Sequence, residues 1–233
     1  MRRIVLDTET TGLEPEAGHR IIELACLELA DRRPTGRQFH RYMNPERAID
    51  MAATQVHGLT QEDLADKPRF ADVADEFLDF VSGAELLIHN AEFDLAFLNA
   101  ELSRIGRPRL ESVCRVSDTL ALAREMSPGR KNSLDALCER YGVDNARRSL
   151  HGALLDAQLL ADVWIAMTRG QDTLDILMAS SNAPTVPLGE AGARPAIRVL
   201  RATEEERLLH AALCERLARA SGGRCLWAEL AAA

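Results

Sequence analysis

Residues 6–12 read "LDTETTG", directly after the apolar pair Ile4-Val5, and end on a glycine. Side chains at i and i+2 of a strand share one face, so Asp7 and Glu9 point the same way from the end of an N-terminal strand. Two carboxylates held that close repel each other and are costly to desolvate. The pair is tolerated where it faces water or where a hard divalent cation neutralises it. By itself it carries little information, because 36 acidic residues in 233 positions give about one or two D-x-E matches by chance. The neighbouring segments decide how it is read.

Two more extended segments follow, "RIIELACLEL" at 20–29 and "RQFHRYMNP" at 37–45, with turn chemistry at Gly12, Pro15, Gly18 and Pro34-Thr35-Gly36 between them. They predict three neighbouring antiparallel strands. In "FADVADEFLDFV" (70–81), Phe70, Val73, Ala74, Phe77, Leu78 and Val81 recur at helical spacing, which predicts a helix. "AELLIHN" (84–90) reads as a buried strand, and "FDLAFLNAELSRIG" (93–106) as a helix ending at Gly106. Strand followed by helix implies parallel pairing, so the expected sheet is mixed. Beyond a short segment around Val113–Ser117, "SDTLALAREM", "NSLDALCERYG" and "GALLDAQLLADVWIAMTRG" (152–170) read as three further helices.

From about Ser180 the chain turns to Ser, Asn, Ala, Pro and Gly, the composition of a flexible linker. It leads to Thr203-Glu204-Glu205-Glu206, a capping box opening a helix with Leu208, Leu209, Ala212, Leu213, Leu217 and Ala220, then Gly222-Gly223 and Trp227. A short amphipathic helix is marginal in water, so this one needs a partner surface. The expected division is a catalytic domain at 1–179, a linker at 180–202 and a partner-binding segment at 203–233.

The chain is 46% apolar and 27% charged, ordinary for a globular protein, and has no apolar run of the roughly 18–20 residues that spans a bilayer. The start Met-Arg-Arg enters "IVLDTET" without the apolar core of a signal peptide, which predicts a cytoplasmic protein. Five cysteines, widely spaced and without a C-x-x-C pair, suggest neither a disulfide framework nor a zinc site. A net charge of −8 argues against broad wrapping of nucleic acid. It leaves room for a small site where metal ions supply the positive charge.

A further carboxylate, Asp94, stands where "LLIHN" gives way to the next helix, at the edge where open α/β sheets place ligands. In "HGALLDA", His151 and Asp156 are five apart and would diverge by about 140° on one continuous helix. They converge if His151 precedes the helix proper, with Gly152 giving the chain room to bend. Four carboxylates and one histidine from three segments can then surround one pocket. Two divalent metals about 3.5–4 Å apart activate water and stabilise the leaving oxygen in phosphodiester hydrolysis. An imidazole is suited to take the proton from that water. Phosphodiester cleavage is the chemistry these residue types serve.

"LDTETTG", "HNAEFD" and "HGALLDA", in this order and spacing, resemble the three motifs of the DnaQ-like DEDDh 3′–5′ exonucleases. "GAELLIHNAEFD", "NSLDALCERYGVDN", "LHGALLDAQLLADV" and the terminal "GGRCLW" extend the likeness over nearly the whole chain, toward the family's bacterial replicative proofreaders. The resemblance implies an α/β, ribonuclease H-like fold: a mixed five-stranded sheet flanked by helices, with a flexible linker and a C-terminal helical tail. It implies two divalent ions, Mg²⁺ or Mn²⁺, with Asp7, Glu9 and Asp156 on the first, Asp7 bridging to the second, and Asp94 completing the site. His151 would be the general base; a histidine there marks the DEDDh rather than the DEDDy branch. Thr10, Thr11, Gly12, Leu13, His57 and Asn90 would contact the 3′-terminal nucleotide together with Asp7, Glu9 and Asp156.

The activity so implied is removal of deoxynucleoside 5′-monophosphates from a single-stranded or frayed 3′ DNA end during replication. The partner of the C-terminal tail would be the polymerase subunit of the replicase. "QDTLDIL" (171–177) resembles the sliding-clamp motif Q-x-x-L/M-x-F, with Ile176 where an aromatic is usual, and so predicts weak clamp binding. A small accessory, theta-like subunit is a further expected partner, and no membrane is expected. Two competing readings are an RNA-maturing exonuclease, which the tail disfavours, and a non-catalytic scaffold, which the complete carboxylate set disfavours.

Overall fold

The computed structural model describes residues 1–146, 148, 150–169 and 202–222. The chain divides into two units, Met1–Asn182 and Ala183–Ala233. In the first, strands β1 (Arg2–Thr10), β2 (Ile21–Ala30), β3 (Arg33–Tyr42), β4 (Glu85–Ile88) and β5 (Arg115–Asp118) form one sheet in the order β3-β2-β1-β4-β5. β1 pairs antiparallel with β2, and β2 with β3. β1 and β4, and β4 and β5, run parallel. The expected mixed five-stranded sheet is therefore present.

β1 lies at the centre, and its alternation sorts two cores. Ile4 and Leu6 pack with Leu24, Phe39, Phe77, Leu86 and Phe97 on one face; Val5 packs with Ala25, Leu87, Leu137, Ala157 and Val163 on the other, as a period of two requires. The first face is covered by α3 (Phe70–Val81) and α4 (Ala91–Arg104), the second by α5 (Thr119–Met126), α6 (Leu134–Tyr141) and α7 (Ala153–Met167). α3 fills the range its periodicity predicts, with Phe70, Val73, Ala74, Phe77 and Val81 buried.

The β2–β3 turn lies earlier than Pro34-Thr35-Gly36. Asp31 and Arg32 make it, with φ of 46° and 65°, the left-handed pair that suits a tight hairpin. Pro34 sits inside edge strand β3, where its missing N–H costs no ladder bond. Gly36, at φ 83°, lies where the β2–β3 register slips between Leu27 and Leu29. Two helices, α1 (Met51–His57) and α2 (Gln61–Leu64), lie in a stretch where no helix is predicted. A left-handed Gly58 ends α1, and a reciprocal Thr60–Asp63 capping box opens α2.

In the second unit, α8 (Glu204–Ala220) opens with the expected capping box between Thr203 and Glu206. Leu208, Leu209, Leu213 and Leu217 along it are exposed. Residues 171–177, the expected linker apart from Ala202, and Trp227 lie outside the described residues. Among the described residues no helix is long and apolar enough to cross a membrane.

Candidate active site

The carboxyl ends of parallel strands β1 and β4 open into a cavity of about 900 Å³. Asp7 and Glu9 share the strand face of Val5, the side covered by α7. Thr8 points to the other face, where its hydroxyl donates to Oδ1 of Asp94 at 2.7 Å. Asp94 stands in the first turn of α4 and is buried. The turn into α4 begins one residue after Asn90, which is left-handed at φ 67°. Asn90 is tied to the next strand by its backbone N–H, which donates to Asp118 at 3.1 Å. Asp118 also caps α5.

Asp156 occupies the first turn of α7 and is buried. His151 lies before the helix, as convergence with Asp156 demands: its Nδ1 is 3.3 Å from Oδ2 of Asp156, and its backbone N–H donates to Val56 of α1 at 3.0 Å. The bend does not need glycine, since Gly152 is extended at φ −160°. Glu23 of β2 closes the back of this arrangement, accepting from the Ala153 N–H at 3.1 Å and pairing with Nε2 of His40 at 2.8 Å.

Asp7, Glu9, Asp94, Asp156, His151 and Asn90 all line the same cavity. Desolvation, reinforced by Asp94, Glu9 and Asp156, raises the Asp7 carboxyl well above the usual range. Burial, with Asp156, Glu23 and Asp94 as neighbours, pushes Glu9 to about 8. Burial pushes Asp94 to about 7, although the Thr8 hydroxyl works the other way. Glu9, His151 and Asp156 each offer a ligand atom within 4.8 Å of one another. An all-carboxylate oxygen set supplemented by one imidazole fits a hard divalent ion.

Thr10, Thr11, Gly12, Leu13 and His57 lie outside the cavity lining. The Thr10 hydroxyl donates to the Gly12 carbonyl at 2.6 Å. Thr11 is fully buried, its hydroxyl 3.0 Å from Nδ1 of His19 and accepting from the Arg20 N–H. The His19 ring sits so close to Gly12 that a Cβ there would fall 2.3 Å from it. Glycine at 12 thus serves a close packing contact. Leu13 is exposed, whereas His57 is buried at the end of α1, its Nδ1 accepting from the Leu59 N–H at 3.0 Å.

Five residues outside the expected site set complete the site. Thr8 fixes Asp94, and Glu23 anchors α7. Arg148, 7% exposed, pairs with both oxygens of Asp156 at 2.6 and 2.7 Å, and Asp135 of α6 receives its other arm at 2.7 Å. Sequence alone does not separate Arg148 from a solvated arginine; its place three positions before His151 is the one signal that could have marked it. Arg124 and Arg130 also line the cavity.

The sequence profile of the exonuclease family matches residues 4–164. DNA polymerase III subunit epsilon of Escherichia coli (strain K12) is 48% identical over 238 residues, covering 97% of each chain. The protein of that name from Haemophilus influenzae is 44% identical, covering 97% of this chain and 94% of its own. Among solved structures, exonuclease X in complex with 5′ overhanging duplex DNA superposes with a TM-score of 0.59 at 26% identity, covering 73% of this chain and 93% of its own. The zinc-bound form of Escherichia coli exonuclease I with single-stranded DNA shares the fold, with a TM-score of 0.66 at 17% identity over 77% of this chain and 43% of its own. With half the positions of a full-length relative retained from end to end and the acidic motifs meeting in one cavity, the chain belongs to the exonuclease family and, within it, to the DNA polymerase III epsilon subunits.

Proposed function

We propose that the chain proofreads for a replicative DNA polymerase, hydrolysing 3′-terminal phosphodiesters of mispaired DNA and releasing deoxynucleoside 5′-monophosphates. The observation that carries the site assignment is the meeting of Asp7, Glu9, Asp94 and Asp156, from three separate segments, in one cavity with His151 at its rim. Asp7, Glu9 and Asp156 would hold one divalent ion, and Asp7 and Asp94 would complete the site for a second. Mg²⁺ or Mn²⁺ held by these residues would supply water activation and stabilisation of the leaving oxygen. His151, 47% exposed, takes the proton of the attacking water. Asp94 keeps its place through Thr8, and Glu23 keeps α7 seated against β2.

Asn90 and the Thr10–Leu13 segment with His57 position the terminal nucleotide, together with Asp7, Glu9 and Asp156. Arg124 and Arg130 offer charge to the backbone phosphates behind it. Residues 1–179 form the nuclease domain, 180–202 a linker and 203–233 the segment that binds the polymerase subunit. Such a tether keeps a weak nuclease at high effective concentration beside the polymerase site. Residues 171–177 engage the sliding clamp weakly, a small theta-like subunit joins the assembly, and the assembly works in the cytoplasm.

The test compares mispaired and paired 3′-ended DNA with RNA as substrates, with Mg²⁺ or Mn²⁺, with and without the polymerase subunit. Mispaired DNA is expected to be digested fastest, and the Asp7→Ala/Asp156→Asn double variant to be inactive yet folded by circular dichroism. Undiminished digestion by the purified double variant overturns the site assignment. A preference for RNA overturns the proofreading role.

A further inference from the structure

Arg148 holds an unusual position for a cation in a cluster suited to metal. Its Nε donates to Oδ1 of Asp156 at 2.6 Å and its Nη2 to Oδ2 at 2.7 Å, so both oxygens of that carboxylate face a guanidinium. Nη2 also lies 3.0 Å from Nδ1 of His151. Nη1 reaches Oδ1 of Asp135 at 2.7 Å. Asp135 is 58% exposed, whereas Asp156 is 4% exposed. The same charge offsets the mutual repulsion felt by Asp7 and Glu9.

A buried carboxylate without a cationic partner is strongly disfavoured, and a fork-shaped bidentate pair is the strongest partner a protein side chain can offer. A dipositive ion brought to the same carboxylate repels the guanidinium at short range in a poorly solvated site. We propose that Arg148 is a positioning residue that stands in for the metal. It holds Asp156 and His151 in place while the site lacks a divalent ion, and yields Asp156 to the ion by shifting its charge onto Asp135. The exchange keeps an acid-rich cavity assembled between metal-loaded states, and it lowers metal affinity, because the ion must displace a resident cation. This inference rests on the reading of Asp156 as a metal ligand.

The test titrates the full chain, stripped of metal with a chelator, with Mn²⁺ alone and follows binding by calorimetry. Arg148→Met is expected to bind Mn²⁺ about tenfold more tightly, while melting at a lower temperature when metal-free. Arg148→Lys, a point charge that cannot span both oxygens, falls between it and wild type. Asp135→Asn moves the other way, because the guanidinium loses its second anchor and is harder to displace. A loss of packing would not tighten metal binding, so the sign separates this role from a structural one. Equal or weaker Mn²⁺ binding by folded Arg148→Met overturns the proposal, as does equal or tighter binding by Asp135→Asn. If Arg148→Met does not fold without metal, the Lys variant decides: tighter binding than wild type supports the proposal, and anything else overturns it. Asp156→Asn distinguishes the two levels. If it binds Mn²⁺ as wild type does, the ligand assignment itself fails; if it loses binding and Arg148→Met gains none, only the role of Arg148 fails.

Discussion

Oε2 of Glu23 accepts a hydrogen bond from the backbone N–H of Ala153 across 130 residues of sequence, joining β2 to the first turn of the helix that carries Asp156. Glu23 is buried and also pairs with His40. Removing it leaves the Ala153 N–H and the His40 ring without their buried partner. Glu23→Ala is expected to cost about 2 kcal/mol of stability and, by letting Asp156 and His151 drift, to lower kcat by roughly ten- to hundredfold. Glu23→Gln keeps an oxygen for Ala153 and should retain most of the stability. Urea unfolding and single-turnover digestion of a 3′ end check both. Wild-type rates in Glu23→Ala would show that α7 is held without it.

Thr8 serves Asp94 in the same way from the other side of β1. Thr8→Val keeps the shape and removes the 2.7 Å bond, leaving a buried carboxylate short of a donor. The expected loss is about 1.5–3 kcal/mol, the range for a bond to a charged group, with a fall in kcat larger than any change in KM. Thr8→Ser, which keeps the hydroxyl, is the rescue control. Failure of serine to restore the rate would detach the effect from the hydrogen bond.

Stability without metal should depend on pH through Glu9 and Asp94, whose carboxyls stand at about 8 and about 7 in the folded protein. A carboxyl raised on folding binds more protons in the folded state than in the unfolded one. Its contribution is therefore full below the ordinary carboxylate range and is lost as pH rises through the folded value. With a chelator present, the urea midpoint should fall between about pH 4.5 and about 8. Mn²⁺ should flatten that fall by supplying the missing countercharge. Asp94→Asn should raise the metal-free midpoint at pH 8. A pH profile identical with and without Mn²⁺ would count against these carboxylates as the ion's ligands.

The exposed leucines of α8 give a test of the tail. Leu209 and Leu213, 67% and 49% exposed, lie four apart and so on one side of the helix. Leu209→Glu/Leu213→Glu in the full chain is expected to abolish co-purification with the polymerase subunit while leaving digestion of single-stranded DNA unchanged. Truncation after Ser180 should do the same. Retention of the polymerase by the truncated core would move the docking surface elsewhere.

What the sequence by itself determined are the features that local periodicity and turn chemistry encode. The helix at 70–81, the capping box at Thr203, the stop at Gly106 and the alternation of β1 depend on residues within a few positions of one another. The three acidic motifs were legible because strand parity and helix offset restrict where Asp7, Glu9, Asp94, His151 and Asp156 can point. The hairpin turn at Asp31-Arg32 was not, because Pro34 and Gly36 carry stronger turn signals and the register slip opposite Leu27 and Leu29 absorbs them within the strand. Helices α1 and α2 are too short to show a period. Tertiary structure alone decided which of many charges meet. Arg148 finds Asp156 and Asp135, Glu23 finds Ala153, and Thr8 finds Asp94. Each of these pairings except Arg148–Asp156 joins residues 13 or more apart, and even that one, eight apart, reaches from the loop before α7 into its first turn. An exposed arginine and a buried one look the same in sequence. Desolvation, which gives these contacts their strength, arises only once the sheet and α7 have closed around them.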